Sequence, residues 1–442
     1  MTTLATPTRT GAPYVPTASL RQLSRGMDLF GFGAANSPLL RKGGRFAIDL
    51  PLVPRILVTA APEDMRPLFT DDSLSFGQML RRFTYHDALF SPDTFIFLEA
   101  DEHRTARKDL MPHFHGKALR SYQDLIVEAV RNRIDEWPLD TPISFLEIGY
   151  QLSLDVMISI VFGVTDPGRQ KRLEKTLGDW FKQVESGALV ATMGLGIAFG
   201  GGHKPPFPPL RRTEREVDKI CLEEIAARRA GTSPNGGAAG RILDDNAVRA
   251  EPRTDREIAS MMRGVVLAGY ETTAITLAWM AELISHNHDA LAQLETSVDE
   301  GDLSYLDAVA HETLRMRPVI PMTGRRALAD TEINGIRVRK GSAVVVPMLG
   351  LHMRPDLYDE PTRFKPERFV GNPPSAFNLV TFGAGAHRCL GANLALLETR
   401  LMFQEILAQR RFTPLPGPIA RPRGGTPTLV PANGAKVVLT AR

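Results

Sequence analysis

The sequence predicts a mainly helical protein with a smaller β-rich region. Three observations carry this reading. Helical periodicity runs through Leu119–Trp137, Phe145–Phe162 and Arg169–Glu185. The longest apolar run, Ile258–Ile284, reads as a helix buried inside a large protein. Short apolar runs broken by Pro or Asn-Gly, at 45–59 and 331–347, read as strands.

In chain order, Met1–Thr17 is rich in Thr, Pro and Ala and has no apolar core stretch, so it reads as a loose arm and not as a signal peptide or anchor. Phe46-Ala47-Ile48 and Ile56-Leu57-Val58, separated by Pro51 and Pro54, predict a hairpin or edge strands. A helical turn or two follows at Glu63–Phe69. Asp71–Leu98 has poor periodicity and many aromatics. Asp101–Lys108 opens a helix that places His103 and Arg107, four apart, on one face. His113 and His115 lack a nearby carboxylate or Cys to complete a metal site and are taken as structural. Between Gly187 and Pro209 the Gly/Pro texture predicts a mobile loop. Arg211–Arg229 reads as a charged helix with Cys221 in a structural role, and Gly231–Gly240 as a flexible link.

Within Ile258–Ile284 the only charge from Gly264 to Ala281 is Glu271. A membrane span is the alternative for this run. A carboxylate near its middle costs roughly 2.5–3.5 kcal/mol on insertion scales, and Arg256, Glu257 and Arg263 shorten the apolar length, so burial in protein is the better reading. Tyr305–Arg317 is a helix stopped by Pro318, with Glu312 and Arg315 on one face. Thr331–Val338 and Ser342–Pro347 are strand-like, with Asn334-Gly335 as a turn.

Near the end, Gly383, Gly385 and Gly391 surround Cys389 in a loop where the backbone can adopt positive φ and approach a flat ligand. The helix formers Ala392–Arg400 follow directly, so Cys389 sits beside a helix N-terminus whose free N–H groups favour thiolate over thiol. A thiolate in a glycine-lined loop can ligate iron, and thiolate-ligated haem promotes O–O cleavage. The run Phe382-Gly383-x-Gly385-x-His387-x-Cys389-x-Gly391 matches the haem-binding signature of the cytochrome P-450 family, the haem-thiolate monooxygenases. The chain resembles that family from about Arg45 to its C-terminus.

The resemblance implies a single mainly helical domain over 45–442, with 1–44 as arm and lead-in, and a b-type haem (heme b, iron protoporphyrin IX) held between two helices. Cys389 would be the proximal iron ligand. His103, Arg107, Arg325 and His387 would hold the propionates, Arg326 being an alternative to Arg325, with Phe382, Gly383 and Gly391 shaping the loop. Two cations aimed at two carboxylates is a sound reason for the His103/Arg107 spacing. Ala268-Gly269-Tyr270-Glu271-Thr272-Thr273 resembles the oxygen-activation motif. Gly269 would remove bulk where haem or O2 approaches, and Glu271 and Thr272 would form the acid–alcohol pair that delivers protons. Glu312, Arg315 and Arg368 match a buried structural triad supporting the Cys loop. One departure is His352-Met353-Arg354-Pro355, where the family usually has Arg-Asp-Pro; it carries no expected consequence for catalysis.

The expected reaction inserts one atom of O2 into a lipophilic small molecule. Candidate pocket residues are Phe95, Leu267, Ala268, Val319, Ile320, Met322 and Thr428. Two cysteines cannot hold an ordinary iron–sulfur cluster and suggest no disulfide framework. No phosphate-binding glycine motif is present, so electrons are expected from a ferredoxin or flavodoxin with its NAD(P)H reductase, docking on cations that include Arg104, Lys108 and Arg388. The net charge of +3 is too small to argue for nucleic acid. The whole reads as a cytoplasmic monomer. Alternatives are a haem-thiolate enzyme that uses peroxide or rearranges an oxygenated substrate, and a non-catalytic haem sensor or carrier.

Overall fold

The computed structural model describes residues 44–50, 53–72, 74–75, 95–164, 166–184, 208–233, 237–249, 251–424 and 428–442. The expected N-terminal arm, most of the aromatic stretch 71–98 and the Gly/Pro segment 187–209 lie outside the described residues, apart from the start of one helix at Pro208.

The helices are α1 (Pro62–Thr70), α2 (Ala100–Leu110), α3 (Lys117–Arg131), α4 (Phe145–Met157), α5 (Pro167–Val184), α6 (Pro208–Arg229), α7 (Gly237–Ala247), α8 (Asp255–Ser285), α9 (His288–Asp299), α10 (Ser304–Met316), α11 (Met348–His352) and α12 (Ala392–Gln409). The strands are β1 (Arg45–Leu50), β2 (Val53–Thr59), β3 (Leu74–Ser75), β4 (Pro142–Ser144), β5 (Met322–Ala327), β6 (Thr331–Ile333), β7 (Ile336–Val338), β8 (Ala343–Pro347), β9 (Arg410–Phe412), β10 (Pro422–Gly424), β11 (Leu429–Pro431) and β12 (Lys436–Ala441). One five-stranded sheet runs in the order β1-β2-β8-β5-β3, with β2 and β8 parallel and its other neighbours antiparallel. The other described sheets are β4-β12-β9 and the hairpins β6-β7 and β10-β11.

The long helix α8 organises the helical part. Thr254 and Glu257 close a capping box at its start, satisfying N–H groups that the first turn leaves free. From Thr273 to Ser285, about three and a half turns, it is buried all round. It crosses α4 so closely that a Cβ on Gly149 would stand 2.7 Å from the Ala274 carbonyl oxygen. Helix α4 continues into a π-helical turn at Ile158–Phe162, ended by Gly163 at φ +56°. Phe145–Phe162 is the one stretch among the described residues long and apolar enough to cross a membrane, and 72% of it is buried inside the protein. The expected link at Gly231–Gly240 is corrected in part. Gly237 opens helix α7, which packs Ala238, Ala239 and Ile242 into the helical core.

Candidate active site

The Cys389 loop is built from two short 3-10 turns, Val380–Phe382 and Gly385–His387, just before α12. Gly383 and Gly385 take φ of +65° and +66°. A Cβ on Gly385 would stand 2.0 Å from the Phe69 carbonyl oxygen, so α1 presses directly on the loop there. The Cys389 N–H donates to the Phe382 carbonyl at 2.7 Å, pinning the two ends of the loop together. Cys389 keeps solvent-accessible surface although protein surrounds it closely, so the sulfur faces an interior surface. Burial pushes its thiol up, and the Gly391 N–H, Arg107 and Arg388 only partly offset this. The N–H groups at the helix start favour thiolate as expected, through that of Gly391, while burial acts the other way and is the larger effect.

Four basic groups converge beside this loop. The rings of His103, on α2, and His387 stack with centroids 3.9 Å apart. Burial lowers His103 to about 4, with Arg107, Arg104 and Arg325 adding to it. Burial lowers His387 to about 3, with His103, Arg325 and Arg107 adding. Arg325, on β5, is brought to about 10 by burial, and its guanidinium lies over the Phe69 ring at 4.8 Å. Burial also lowers Arg107. Basic groups that depress one another at such close range form a donor set suited to anions, and a ligand with two carboxylates fits it. Together with the interior thiol, the arrangement fits haem: iron on Cys389, and propionates on His103, Arg107, Arg325 and His387.

Helix α8 presents a less buried stripe to the interior. Ala268 is exposed and Val265, Gly269, Glu271 and Thr272 are partly so, whereas the helix around them is largely buried. The Thr272 hydroxyl donates to the Ala268 carbonyl at 2.7 Å. The Ser153 hydroxyl on α4 donates to the Tyr270 carbonyl at 2.8 Å. Side chains thus serve the carbonyls of this turn of α8. Glu271 turns elsewhere: Thr428 Oγ1 donates to its Oε1 at 2.7 Å. Gly269 also makes room for α4, because a Cβ there would press on the Met157 side chain. Of the candidate pocket residues, Leu267 and Val319 are buried core members, whereas Phe95, Ile320 and Met322 keep partial exposure.

The Cytochrome P450 family model matches residues 53–437. The chain belongs to the cytochrome P450 family. It is 33% identical over 354 residues to the Mycobacterium tuberculosis protein designated cytochrome P450 137, covering 79% of this chain and 73% of that one. It is 30% identical over 408 residues to cytochrome P450 135A1 of the same organism, covering 88% and 86%. The solved retinoic acid-bound cyanobacterial CYP120A1 superposes with a TM-score of 0.77 at 21% identity, over 98% of this chain and 100% of that one, which shows the shared fold. Cytochrome P450 membership carries the general class of haem-thiolate monooxygenase, using haem and O2, in a family that generally draws electrons from separate redox partners.

As in the sequence expectation for this P450, Glu312, Arg315 and Arg368 come together. Arg315 grips Glu312 twice, at 2.7 and 2.8 Å, with both side chains fully buried. Arg368 Nε donates to Glu312 at 3.2 Å, and the Lys365 N–H at 2.9 Å. His113 is buried 3.6 Å from Asp245, and His115 faces the Met111 carbonyl, as befits structural roles. Burial raises the Cys221 thiol to about 12, leaving it inert.

Two residues of the site escaped sequence reasoning. Glu398, on α12, is fully buried, accepts from Thr273 Oγ1 at 2.9 Å through Oε2, and has an Oε1 without a hydrogen-bond partner among the described residues. Burial raises it to about 8. Its signal was a lone charge directly after Leu394-Ala395-Leu396-Leu397. His352 is the other: the Val380 N–H, at the start of the Cys loop, donates to its Nε2 at 3.2 Å.

Proposed function

We propose that this chain binds heme b through Cys389 and inserts one atom of O2 into a lipophilic small molecule, by hydroxylation or epoxidation. The observation that supports this best is the convergence of an interior thiol with the basic set His103, Arg107, Arg325 and His387. When bound, thiolate-ligated haem supplies O2 activation and O–O cleavage.

The chain's own residues supply the rest. His103, Arg107, Arg325 and His387 hold the propionates, and desolvation at these buried positions strengthens each contact. Phe382, Gly383 and Gly391 shape the loop that fixes the sulfur. Glu271 is the acid, and the Thr428 hydroxyl holds its carboxyl. The Thr272 hydroxyl rests on the Ala268 carbonyl and swings from it to pass a proton inward. Ala268 keeps the interior face of α8 low and apolar, and Ile320, Met322 and Phe95 add apolar surface suited to a lipophilic substrate. Glu312, Arg315 and Arg368 are structural support. Residues 45–442 form one catalytic domain and 1–44 a lead-in. Electrons come from a ferredoxin or flavodoxin with its NAD(P)H reductase, attracted by Lys108, Arg388 and Arg104, the last already paired with Asp101 at 2.6 Å.

The test is haem stoichiometry by the pyridine haemochromogen method, followed by reductant-driven oxygen consumption in wild type and Thr272→Ala. A single b-type haem per chain, and a larger share of electrons released as hydrogen peroxide by the variant, support the reading. A wild-type chain that takes up no haem sinks it.

A further inference from the structure

We propose that His352 is a positioning residue that ties the Glu312–Arg315–Arg368 cluster to the Cys389 loop. The inference deepens the haem-thiolate reading above and rests on it. The contacts form a continuous relay. The Val380 N–H donates to His352 Nε2 at 3.2 Å, which leaves the ring proton on Nδ1, 3.1 Å from the Arg315 carbonyl oxygen. Arg315 answers from its side chain: Nη1 donates to the His352 carbonyl at 2.9 Å and to the Pro361 carbonyl at 2.8 Å. One neutral tautomer therefore serves the end of α10 with one nitrogen and the start of the Cys loop with the other.

From Val380 the relay runs into the loop itself. The Gly383 N–H donates to the Val380 carbonyl at 2.8 Å, and the Cys389 N–H to the Phe382 carbonyl at 2.7 Å. Thr381 Oγ1 adds a second tie, to the Leu314 carbonyl at 3.3 Å. His352 is fully buried, so an apolar replacement strands a buried N–H and weakens the hold on a buried carbonyl. The ion cluster is stiff because Glu312 accepts from both arginines and from the Lys365 N–H. Its stiffness reaches the sulfur only through groups that touch the loop, and His352 is one with a contact at each end. Burial, with Arg315 close by, pushes the imidazole down to about 3, which keeps the Nε2 lone pair available to Val380 at any working pH.

The chemistry of the relay chooses the variants. His352→Phe removes both contacts. A Gln amide reaches the place of Nε2 and restores an acceptor for Val380, whereas an Asn amide reaches only the place of Nδ1. Holoprotein of each is compared with wild type by amide hydrogen exchange and by the carbon monoxide spectrum of the reduced protein. In His352→Phe and His352→Asn, exchange across 378–389 should rise about ten-fold, the equivalent of one net hydrogen bond. The thiolate-type Soret band should fall in step, while peptides of α8 exchange as before. His352→Gln should restore both readouts.

Unchanged exchange and spectrum in His352→Phe would overturn the proposal, as would rescue by Asn with failure by Gln. So would an equal rise of exchange in every peptide, which would mark general loss of stability. If wild type itself gave no thiolate band, the functional reading would fail, and the exchange comparison would still decide the relay.

Discussion

Replacing Glu398 by Gln should flatten the pH dependence of stability between pH 6.5 and 8. The folded carboxyl is held at about 8 by burial, Thr273 opposing weakly, against an ordinary value of 4.5. Below pH 4.5 the group is protonated whether the chain is folded or not. As pH rises above that, the unfolded carboxyl ionises while the folded one stays neutral, so stability falls by about 1.36 kcal/mol per pH unit until the folded group ionises near pH 8. Buried His103, His352 and His387 work in the opposite sense, being held neutral in the folded state. Their effect runs on through pH 6.5, where unfolded histidine is still half protonated, and fades above about pH 7.5. These residues are the same in wild type and Glu398→Gln, so the difference between the two proteins isolates the Glu398 contribution, about 2 kcal/mol between pH 6.5 and 8. Urea unfolding at both pH values reads it directly. Wild type should lose about 2 kcal/mol more across the window than Glu398→Gln, since other titrating groups cancel in the difference. Parallel stability lines for the two proteins would refute the buried, neutral carboxyl.

Gly385→Ala should lower stability by about 2–4 kcal/mol, because positive φ and a clash with the Phe69 carbonyl add together; thermal unfolding checks it, and a wild-type melting temperature would contradict the close approach. Thr428→Val should cost about 0.5–1.5 kcal/mol and increase the peroxide released per electron pair, whereas Thr428→Ser keeps both near wild type; urea unfolding and peroxide assay measure the two. Arg325→Met removes one of the four proposed propionate partners and should speed haem loss to apomyoglobin several-fold, with a smaller difference from wild type at high salt, where the charge contact is screened; an unchanged transfer rate would remove Arg325 from the set.

How far the sequence spoke depended on the range of the interaction. Helix α8 was legible because a long apolar run, with Glu271 its only charge from Gly264 to Ala281, has few other homes. The β6–β7 turn was legible because Asn334 and Gly335 both take positive φ, which few other residues accept. The Cys389 loop was legible as a cluster of glycines. What stayed hidden depends on partners distant in the chain. That Gly269 also makes room for Met157 depends on a helix far away in the chain. The latch from Thr428 to Glu271 spans the C-terminal hairpin and α8, and no local pattern encodes it. The contacts of His352 stayed hidden because its two partners, Arg315 and Val380, are brought to it only by the fold. The opposing pull of burial on Cys389 also stayed hidden, since helix-end dipoles are local and desolvation is a property of the whole interior.

The central claim is that Cys389 supplies the thiolate to haem iron. The most direct test is the carbon monoxide difference spectrum of the dithionite-reduced protein, for wild type and Cys389→Ser. A strongly red-shifted Soret band in wild type that is lost in Cys389→Ser is the predicted result. A wild-type band at the position typical of histidine-ligated haem, or one that survives the substitution, would contradict it.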